Sequence, residues 1–496
     1  EQSDSSHKCV PLSMTDGVYL YNRYKRKLRL LDDKFLLIGL LYLLFVLCYM
    51  GKWFTERTAN EALKKVSEPH FIAESYGTDY CVYPNVFKVG SSIPCNDRDA
   101  LEDAVTLILH VSADYLCEGI MEQVSNWKAP VSLSVFFDDP ASQIPCVEAL
   151  LRHFEVMVPQ DAALLSVHYF FRSSHCNETF AFDTLCRRGK QPKALCQRAS
   201  YPINVARNIA RKYATTSFVV SADYGHLFSD GFERSMLQLA KRELSIDKKA
   251  LLVYRVFEVD SRSESPHNKS DLSKLISSEN AVVFHELSHP GGHSIAGLED
   301  WLVKDSSQGD GIFERNVVYD RGSWEPQFVS SSTIPLHDES FPYPVKDNTC
   351  LRWELCRAGY KLHVVDDHFM FHKGIKNNED WEYWNALRYL NKEKFLEAHR
   401  NFTIRMNREY PLTADSCPEF TSPFDYKAPT MKPRSSLFTA HKRPPTVVNR
   451  RPLLNRWRNE PKILNSDGQL KSNVENRKRE MREVLRKRFP SLYRGH

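Results

Sequence analysis

Short apolar runs alternate with amphipathic segments between residues 104 and 259, and this alternation constrains the fold more than any other feature of the sequence. Buried strands are predicted at AVTLILHV (104–111), VSLSVFF (131–137), LLSVHYFF (164–171), SFVVSAD (217–223) and ALLVYRVFEV (250–259). Helices are predicted between them, at 114–127, 142–154, 204–214 and 231–244. Strands that alternate with helices predict an α/β fold with a parallel sheet of the doubly wound kind.

A single carboxylate, Asp223, ends the fourth of these strands. Ligands of doubly wound sheets bind beyond the carboxyl ends of strands. Mn²⁺ or Mg²⁺ takes few protein oxygens in such sites and shares phosphate oxygens, so Asp223 and one distant ligand suffice to hold a metal against the diphosphate of a nucleotide sugar. The alternative is that Asp223 caps the next helix or closes a turn.

A membrane anchor is predicted at residues 35–50, FLLIGLLYLLFVLCYM, a run without any charge. Its length suits a thin bilayer, and no small-residue cleavage site follows it, although the core of a signal peptide is the alternative. Basic residues cluster just before the run, whereas only Lys52 lies close behind it. The positive-inside rule therefore predicts a cytosolic segment at 1–34 and a lumenal remainder.

The sequence after residue 50 has features that are typical of proteins in an oxidising lumen. Ten cysteines follow the anchor, and this even number allows all of them to pair, although the sequence leaves the pairing open. Asn177, Asn268 and Asn401 begin sequons and are candidate glycosylation sites in such a compartment.

The C-terminal part, residues 421–496, is predicted to be a basic, proline-containing and mostly disordered tail. From Lys427 onward it carries 19 basic and 5 acidic residues, although the whole chain has a net charge of only +5. We expect a solvated extension. A contact with acidic glycans or lipid headgroups is the alternative, and no nucleic-acid partner is expected.

Several segments together resemble glycosyltransferase family 49 in order and spacing, across roughly residues 103–420. They are YPINVARNIARKYATTSFVVSADYGHLFSDGF, GGHSIAGLEDW, WEPQFV, LHDESF and LRWELCRAGYKLHVVDDHFMFHKGIK. The resemblance implies a GT-A nucleotide-sugar-binding fold (a Rossmann-like mixed sheet flanked by helices) at 103–420, behind a stem at 51–102 and a single-pass type II Golgi anchor. It also implies an inverting, Mn²⁺-dependent (or Mg²⁺-dependent) transfer from a UDP-sugar, UDP-glucuronic acid, to a glycan or glycoprotein acceptor.

The resemblance also assigns site residues. The second acid of the family's DxD motif falls on Asp223 and the metal-ligating histidine on His372. Positions around the donor fall on Asn204, Arg207, Asn208, Ser221, Gly292 and His293. The alternative for Arg207 is a surface ion pair on its helix. The alternative for His293 is a hydrogen bond to the backbone of its loop. Glu325 and Asp338 match acidic positions, and either can take the proton of the acceptor hydroxyl.

Two departures from the family pattern bear on activity. Ser221 replaces the first acid of the DxD motif. After DESF, this chain has PYPVKDNT (342–349) where the family carries a Gly-aromatic-Asn stretch, so that Pro342 and Pro344 stiffen the loop and Lys346 stands near the position of the expected asparagine. The sequence therefore predicts altered or weakened transfer. A GT-A protein that binds nucleotide and serves as a partner of another glycosyltransferase is the alternative.

A rival motif, HELSH (residues 285–289), fits the HExxH pattern of zinc metalloproteases. That chemistry needs one helix through both histidines. The preceding residues favour a strand, and Pro290 and Gly291 would end a helix at once. A metalloprotease is therefore a remote alternative.

Overall fold

The computed structural model describes residues 73–87, 104–176, 195–289, 291–304, 309–376 and 381–424. The predicted anchor at 35–50, Asn177 and the tail from residue 425 lie outside this set. Within the described ranges, no helix combines the length and the apolar character that crossing a membrane requires.

A twelve-stranded sheet forms the centre of the described chain. Its strands, in chain order, are β1 (Glu74–Tyr76), β2 (Tyr80–Phe87), β3 (Val105–Ser112), β4 (Val131–Phe137), β5 (Leu165–Arg172), β6 (Phe218–Ser221), β7 (His226–Phe228), β8 (Ala250–Val259), β9 (Ala281–Val283), β10 (Ile312–Val317), β11 (Gln327–Ser331) and β12 (Lys361–Lys373). Their order across the sheet is β1-β2-β5-β4-β3-β6-β11-β8-β12-β10, with β7 paired to β12 and β9 to β8.

Helices accompany the sheet along the chain. They are α1 (Gly119–Trp127), α2 (Pro140–Met157), α3 (Pro159–Ala162), α4 (Leu195–Ala199), α5 (Ile203–Lys212), α6 (Phe232–Glu243), α7 (Lys269–Ser277), α8 (Leu298–Val303), α9 (Thr349–Arg357), α10 (Trp381–Leu390) and α11 (Lys392–Glu409). Helix α5 packs on β3 and β4 and buries Ala206 and Ile209 completely. This packing fixes the face of α5 that carries the candidate donor residues.

The predicted α/β alternation is confirmed. Strands β3, β4, β5 and β6 lie within about two residues of their predicted bounds, β8 has the predicted bounds, and β5, β4, β3 and β6 pair in parallel. The sheet is nevertheless mixed, because β11 runs antiparallel between β6 and β8. A mixed α/β sheet with flanking helices is thus the fold.

The predicted stem at 51–102 requires a correction. Two of its segments, β1 and β2, belong to the sheet, since β2 pairs antiparallel with β5 and places Cys81 opposite Phe171. A disulfide from Cys81 to Cys176 fastens this edge, and a second one joins Cys356 to Cys417. The folded domain therefore begins before residue 103. Strand β2 escaped prediction because Pro84 and Asn85 interrupt its apolar alternation.

Candidate active site

A cleft of about 1060 Å³ opens at the carboxyl end of β6. One wall comes from the residues after β6 and from β12, and a second from the loop that follows β9. The third combines residues 323–327 with 344–349, and α10 with residues 421–424 forms the outer rim. Six of the predicted site residues line this cleft: Arg207, Ser221, Asp223, His293, Glu325 and His372.

Asp223 lies two residues after the end of β6 and lines the cleft. Its Oδ1 atom accepts a hydrogen bond from His110 Nε2 at 3.2 Å and lies 3.4 Å from Arg207 Nη2. Burial raises the pKa of Asp223, whereas the His110 hydrogen bond and the Arg207 charge lower it. Asp223 is thus a carboxylate, as a metal ligand must be.

Arg207, on α5, is a buried ion-pair centre and not a surface residue. Its Nη1 atom donates to Asp347 Oδ2 and to Asn204 Oδ1, both at 3.0 Å, while Nη2 faces Asp223. Burial would lower the pKa of Arg207, but the two carboxylates raise it. The guanidinium therefore stays charged and holds Asp223 in place.

His372, on β12, lies opposite His226 of β7, and their ring centroids are 5.8 Å apart. Its Nδ1 atom is bonded to Gly374 O at 3.3 Å, which leaves Nε2 to carry the lone pair. Burial, with the nearby Lys376, lowers the pKa of His372 to about 3. His226 in turn accepts the backbone N–H of Asp223 at 3.2 Å and thereby connects both predicted metal ligands.

The donor chemistry of this pair fits a manganese or magnesium ion that shares phosphate oxygens. One carboxylate and one neutral imidazole suit Mn²⁺ in particular, because it accepts oxygen and nitrogen ligands. Across the described ranges, no cluster of three or more His, Cys, Asp or Glu side chains is arranged to hold a metal. A metal here would thus depend on its phosphate ligands.

His293, on the second wall, and Glu325, on the third, are bonded to each other. Glu325 Oε1 accepts a hydrogen bond from Thr349 Oγ1 at 2.9 Å, and its backbone carbonyl is bonded to His293 Nδ1 at 3.1 Å. The backbone N–H of Glu325 donates to Gly292 O at 2.8 Å. Gly292 does not line the cleft but permits a close turn, since a β carbon there would lie 2.4 Å from the His289 ring.

Asn204 and Asn208 act on the backbone and lie outside the cleft lining. Asn204 Nδ2 donates to the carbonyls of Asp338 (2.8 Å) and Asp347 (2.9 Å). Asn208 bonds both the carbonyl and the N–H of His337. These two asparagines therefore position residues 337–347, and their predicted place around the donor stays a prediction.

Asp338 also lies outside the lining. Its Oδ2 atom pairs with Arg405 Nη2 at 3.1 Å, and Oδ1 accepts from the N–H and the hydroxyl of Ser340. Asp338 is therefore engaged by an arginine away from the cleft. Of the two predicted bases, Glu325 has the better geometry.

The HELSH segment forms turns, and no helix passes through it. His285 adopts a left-handed φ of +58° and approaches Lys376 Nζ with its Nε2 atom at 2.6 Å. The histidines therefore lack the common helical face that a metalloprotease requires.

Sequence reasoning assigned no site role to four charged residues of the cleft: Lys346, Asp347, Lys376 and Arg388. Lys376 lies four residues after His372, and its backbone N–H donates to the buried Glu258 at 3.1 Å. The HKGIK spacing was a usable signal for it. Asp347 carried no such signal, because its ion pair with Arg207 spans 140 residues.

The asparagines of the two sequons within the described ranges are exposed. Asn268 caps α7, with its side chain accepting the N–H of Asp271 at 3.0 Å, and Asn401 lies on α11. Both remain predicted glycosylation sites.

Comparisons with known proteins bear on this cleft. The profile of the Glyco_transf_49 family, described as "Glycosyl-transferase for dystroglycan", matches residues 104–411. Beta-1,4-glucuronyltransferase 1 of Danio rerio is 24% identical over 424 residues, which is 77% of this chain and 95% of the relative. The Mus musculus protein of that name is 27% identical over 373 residues (68% and 81%). The chain is a glycosyltransferase. With well over half of its length matched, it belongs to glycosyltransferase family 49.

Two further similarities are partial. Xylosyl- and glucuronyltransferase LARGE2 of Homo sapiens is 25% identical over 273 residues, 54% of this chain and 32% of the relative. Among solved structures, GalNAc-T7 with UDP, GalNAc and Mn²⁺ matches with a TM-score of 0.35 and 10% identity, over 64% of this chain and 55% of that one. The structural likeness is too low to inform on function.

Proposed function

We propose that this glycosyltransferase transfers glucuronic acid from UDP-glucuronic acid to a glycan or glycoprotein acceptor, with inversion at the anomeric carbon and with the help of a divalent metal. The observation that carries the proposal is that one cleft contains Asp223, His372 and Lys376 on one wall and Glu325 on another. The names of the relatives support glucuronic acid as the sugar.

The wall with Asp223 would receive the diphosphate. Asp223 and His372 Nε2 would hold Mn²⁺ or Mg²⁺, which when bound offsets the charge that develops on the leaving diphosphate. Lys376 adds a positive charge on this wall, and Ser221 contributes a hydroxyl in place of the missing acid. Arg207 keeps Asp223 oriented, because it also bonds Asp347.

Glu325 would act as the general base. Its carboxylate takes the proton of the acceptor hydroxyl, the hydroxyl oxygen bonds to the anomeric carbon, and the opposite bond to the diphosphate breaks, so that UDP leaves with the electron pair. The hydrogen bond from Thr349 Oγ1 orients the Glu325 carboxylate.

The GT-A fold and a type II position in the Golgi membrane, with residues 35–50 as the anchor, complete the proposal. The disulfides Cys81–Cys176 and Cys356–Cys417 support an oxidising compartment, because such bonds persist there and are rare in the cytosol. Glycans at Asn177, Asn268 and Asn401 would agree with this location.

Calorimetric titration of the purified full chain with UDP and UDP-glucuronic acid, with Mn²⁺ and with chelator, tests the proposal. We expect binding that requires the metal and that Asp223→Ala abolishes, while Asp338→Asn retains it. Absence of nucleotide binding by the wild-type protein under every metal condition would refute the proposal.

A second candidate, a nucleotide-binding partner of another glycosyltransferase, is favoured by one observation: Ser221 stands in the cleft where the family carries an acid. A release assay for UDP with a panel of glycan acceptors separates the two candidates. Metal-dependent binding without turnover on any acceptor would favour the partner.

A further inference from the structure

Lys346 occupies an unusual place in the cleft. It lies in the wall formed by residues 344–349, and its ammonium is 4.4 Å from the centre of the Phe420 ring. Its Nζ atom donates to Gly322 O at 3.3 Å. Burial lowers the pKa of Lys346 to about 8, against an opposing effect of Glu325. The cation is thus held in surroundings that disfavour its charge.

The ammonium lacks an anionic partner among the described residues. It has three N–H donors, of which the Gly322 carbonyl accepts one, and it forms no ion pair with a described carboxylate. Arg207, in the same cleft, instead pairs with both Asp223 and Asp347. A half-buried cation of this kind is a ready partner for an anion that enters from solvent.

The backbone adds an independent observation. Lys346 has a φ of +50°, in the left-handed region, which is unfavourable for a residue with a β carbon. Such conformations concentrate at functional sites, where surrounding contacts enforce them. Here the carbonyl of Lys346 accepts the N–H of Cys350 at the start of α9, which fixes the turn.

The position of Lys346 favours a sugar over a phosphate as its ligand. The predicted metal ligands, Asp223 and His372, belong to the wall after β6, whereas Lys346 shares its wall with Glu325, whose charge it senses. The group beside a general base in a glycosyl transfer is a sugar. The buried Phe420 ring on the other side of the ammonium supplies no negative charge, so an anion for Lys346 has to come from the cleft.

We propose that Lys346 is the counter-ion for the carboxylate of a uronic acid bound in the cleft, namely the transferred sugar, and that it sets the preference for an acidic over a neutral sugar donor. This inference rests on the proposed function, because it takes the transferred sugar to be glucuronic acid. A uronic acid of the acceptor has the same chemistry and is the other source of such a carboxylate.

Calorimetry of the full chain with Mn²⁺ and three ligands (UDP, UDP-glucose and UDP-glucuronic acid) tests the inference. The two sugar nucleotides differ only in the group at sugar carbon 6. We expect wild type to prefer UDP-glucuronic acid by roughly 10- to 100-fold, the value of one charge-assisted hydrogen bond. Lys346→Met should remove this preference and leave UDP affinity unchanged, whereas Lys346→Arg should retain part of it.

Lys361→Met is the matched control, since Lys361 forms an exposed ion pair with Asp247. It should keep the full preference. A melting curve for each variant verifies folding, and the charge-retaining Arg variant separates loss of charge from loss of packing.

Each outcome decides the inference. An unchanged ratio of the two affinities in Lys346→Met overturns it, while UDP binding that depends on Asp223 leaves the proposed function standing. No nucleotide binding by wild type overturns both. Lys346→Met could instead raise the KM for an acceptor that contains a uronic acid, leave the KM for a neutral acceptor unchanged and leave both donor affinities unchanged. Lys346 would then bind the carboxylate of the acceptor, and its assignment to the donor sugar would be wrong.

Discussion

A buried histidine far from the cleft should make this protein unstable in mild acid. His168, on β5, is completely buried, and both of its ring nitrogens are committed. Nδ1 accepts the backbone N–H of Asn85 at 3.1 Å. Nε2 lies 2.9 Å from Ser132 Oγ, which itself donates to Ala210 O, so Nε2 must carry the proton. A second proton, on Nδ1, would face the N–H of Asn85.

The size of this loss of stability follows from the difference between the pKa of His168 in the folded chain and its pKa in the unfolded chain. Burial lowers the pKa of His168 to about 3, whereas an unfolded histidine titrates near about 6.5. Below about pH 6.5 the unfolded chain takes up a proton that the folded chain refuses, so this contribution to stability is present at neutral pH and is lost as the pH falls. At about 1.4 kcal/mol per pH unit, the loss by about pH 5 is about 2 kcal/mol.

Urea unfolding of wild type and His168→Gln at about pH 7.5 and about pH 5 measures this loss. Glutamine can accept from Asn85 and donate to Ser132 without titrating, so the stability of the variant should fall by about 2 kcal/mol less than that of wild type over this interval. His267→Gln, at a ring whose side chain is 63% exposed, should follow wild type. Equal pH dependence in wild type and His168→Gln would refute the reasoning.

Three further predictions concern the cleft and its frame. Glu325→Gln should reduce the transfer rate by about 10²- to 10⁴-fold with UDP affinity retained, whereas Asp338→Asn should not, and a single-turnover assay with parallel calorimetry distinguishes them. Gly292→Ala should weaken donor binding, because its β carbon would meet the His289 ring and force the loop to move; a wild-type affinity would contradict this. Replacing Cys356 and Cys417 by serine removes a disulfide that joins residues 61 positions apart, and the free energy of unfolding measured in urea should fall by about 4 kcal/mol. A fall of less than about 1 kcal/mol would contradict the argument.

The central strands could be predicted because their signal is local. A run such as 250–259 is apolar except for Arg255 and Glu258, is buried along its whole length and was predicted with its observed bounds. Strand β2 gave no such signal, because its stability comes from pairing with β5 and from the Cys81–Cys176 disulfide, which are contacts between distant parts of the chain.

The site was predictable to a similar degree. Asp223 and His372 have distinctive local sequences, and the fold brings them into one cleft. What the sequence does not specify is how a charged side chain is used. Asn204 looked like a donor ligand but bonds backbone carbonyls, and Lys346 looked like a defect in the motif but faces the cleft. Such distinctions depend on which partner lies within about 3 Å, and tertiary packing decides that.

The asparagines of α5 allow side chains in one wall of the cleft to be substituted without a change in its backbone. Asn204 and Asn208 hold residues 337–347 mainly through main-chain atoms, namely the carbonyls of His337, Asp338 and Asp347 and the N–H of His337. Main-chain atoms are the same for every residue, so the route of this segment is insulated from the identity of most of its side chains. Substitutions in this segment can therefore alter which sugar the cleft binds, while α5 and the backbone of the segment keep their positions.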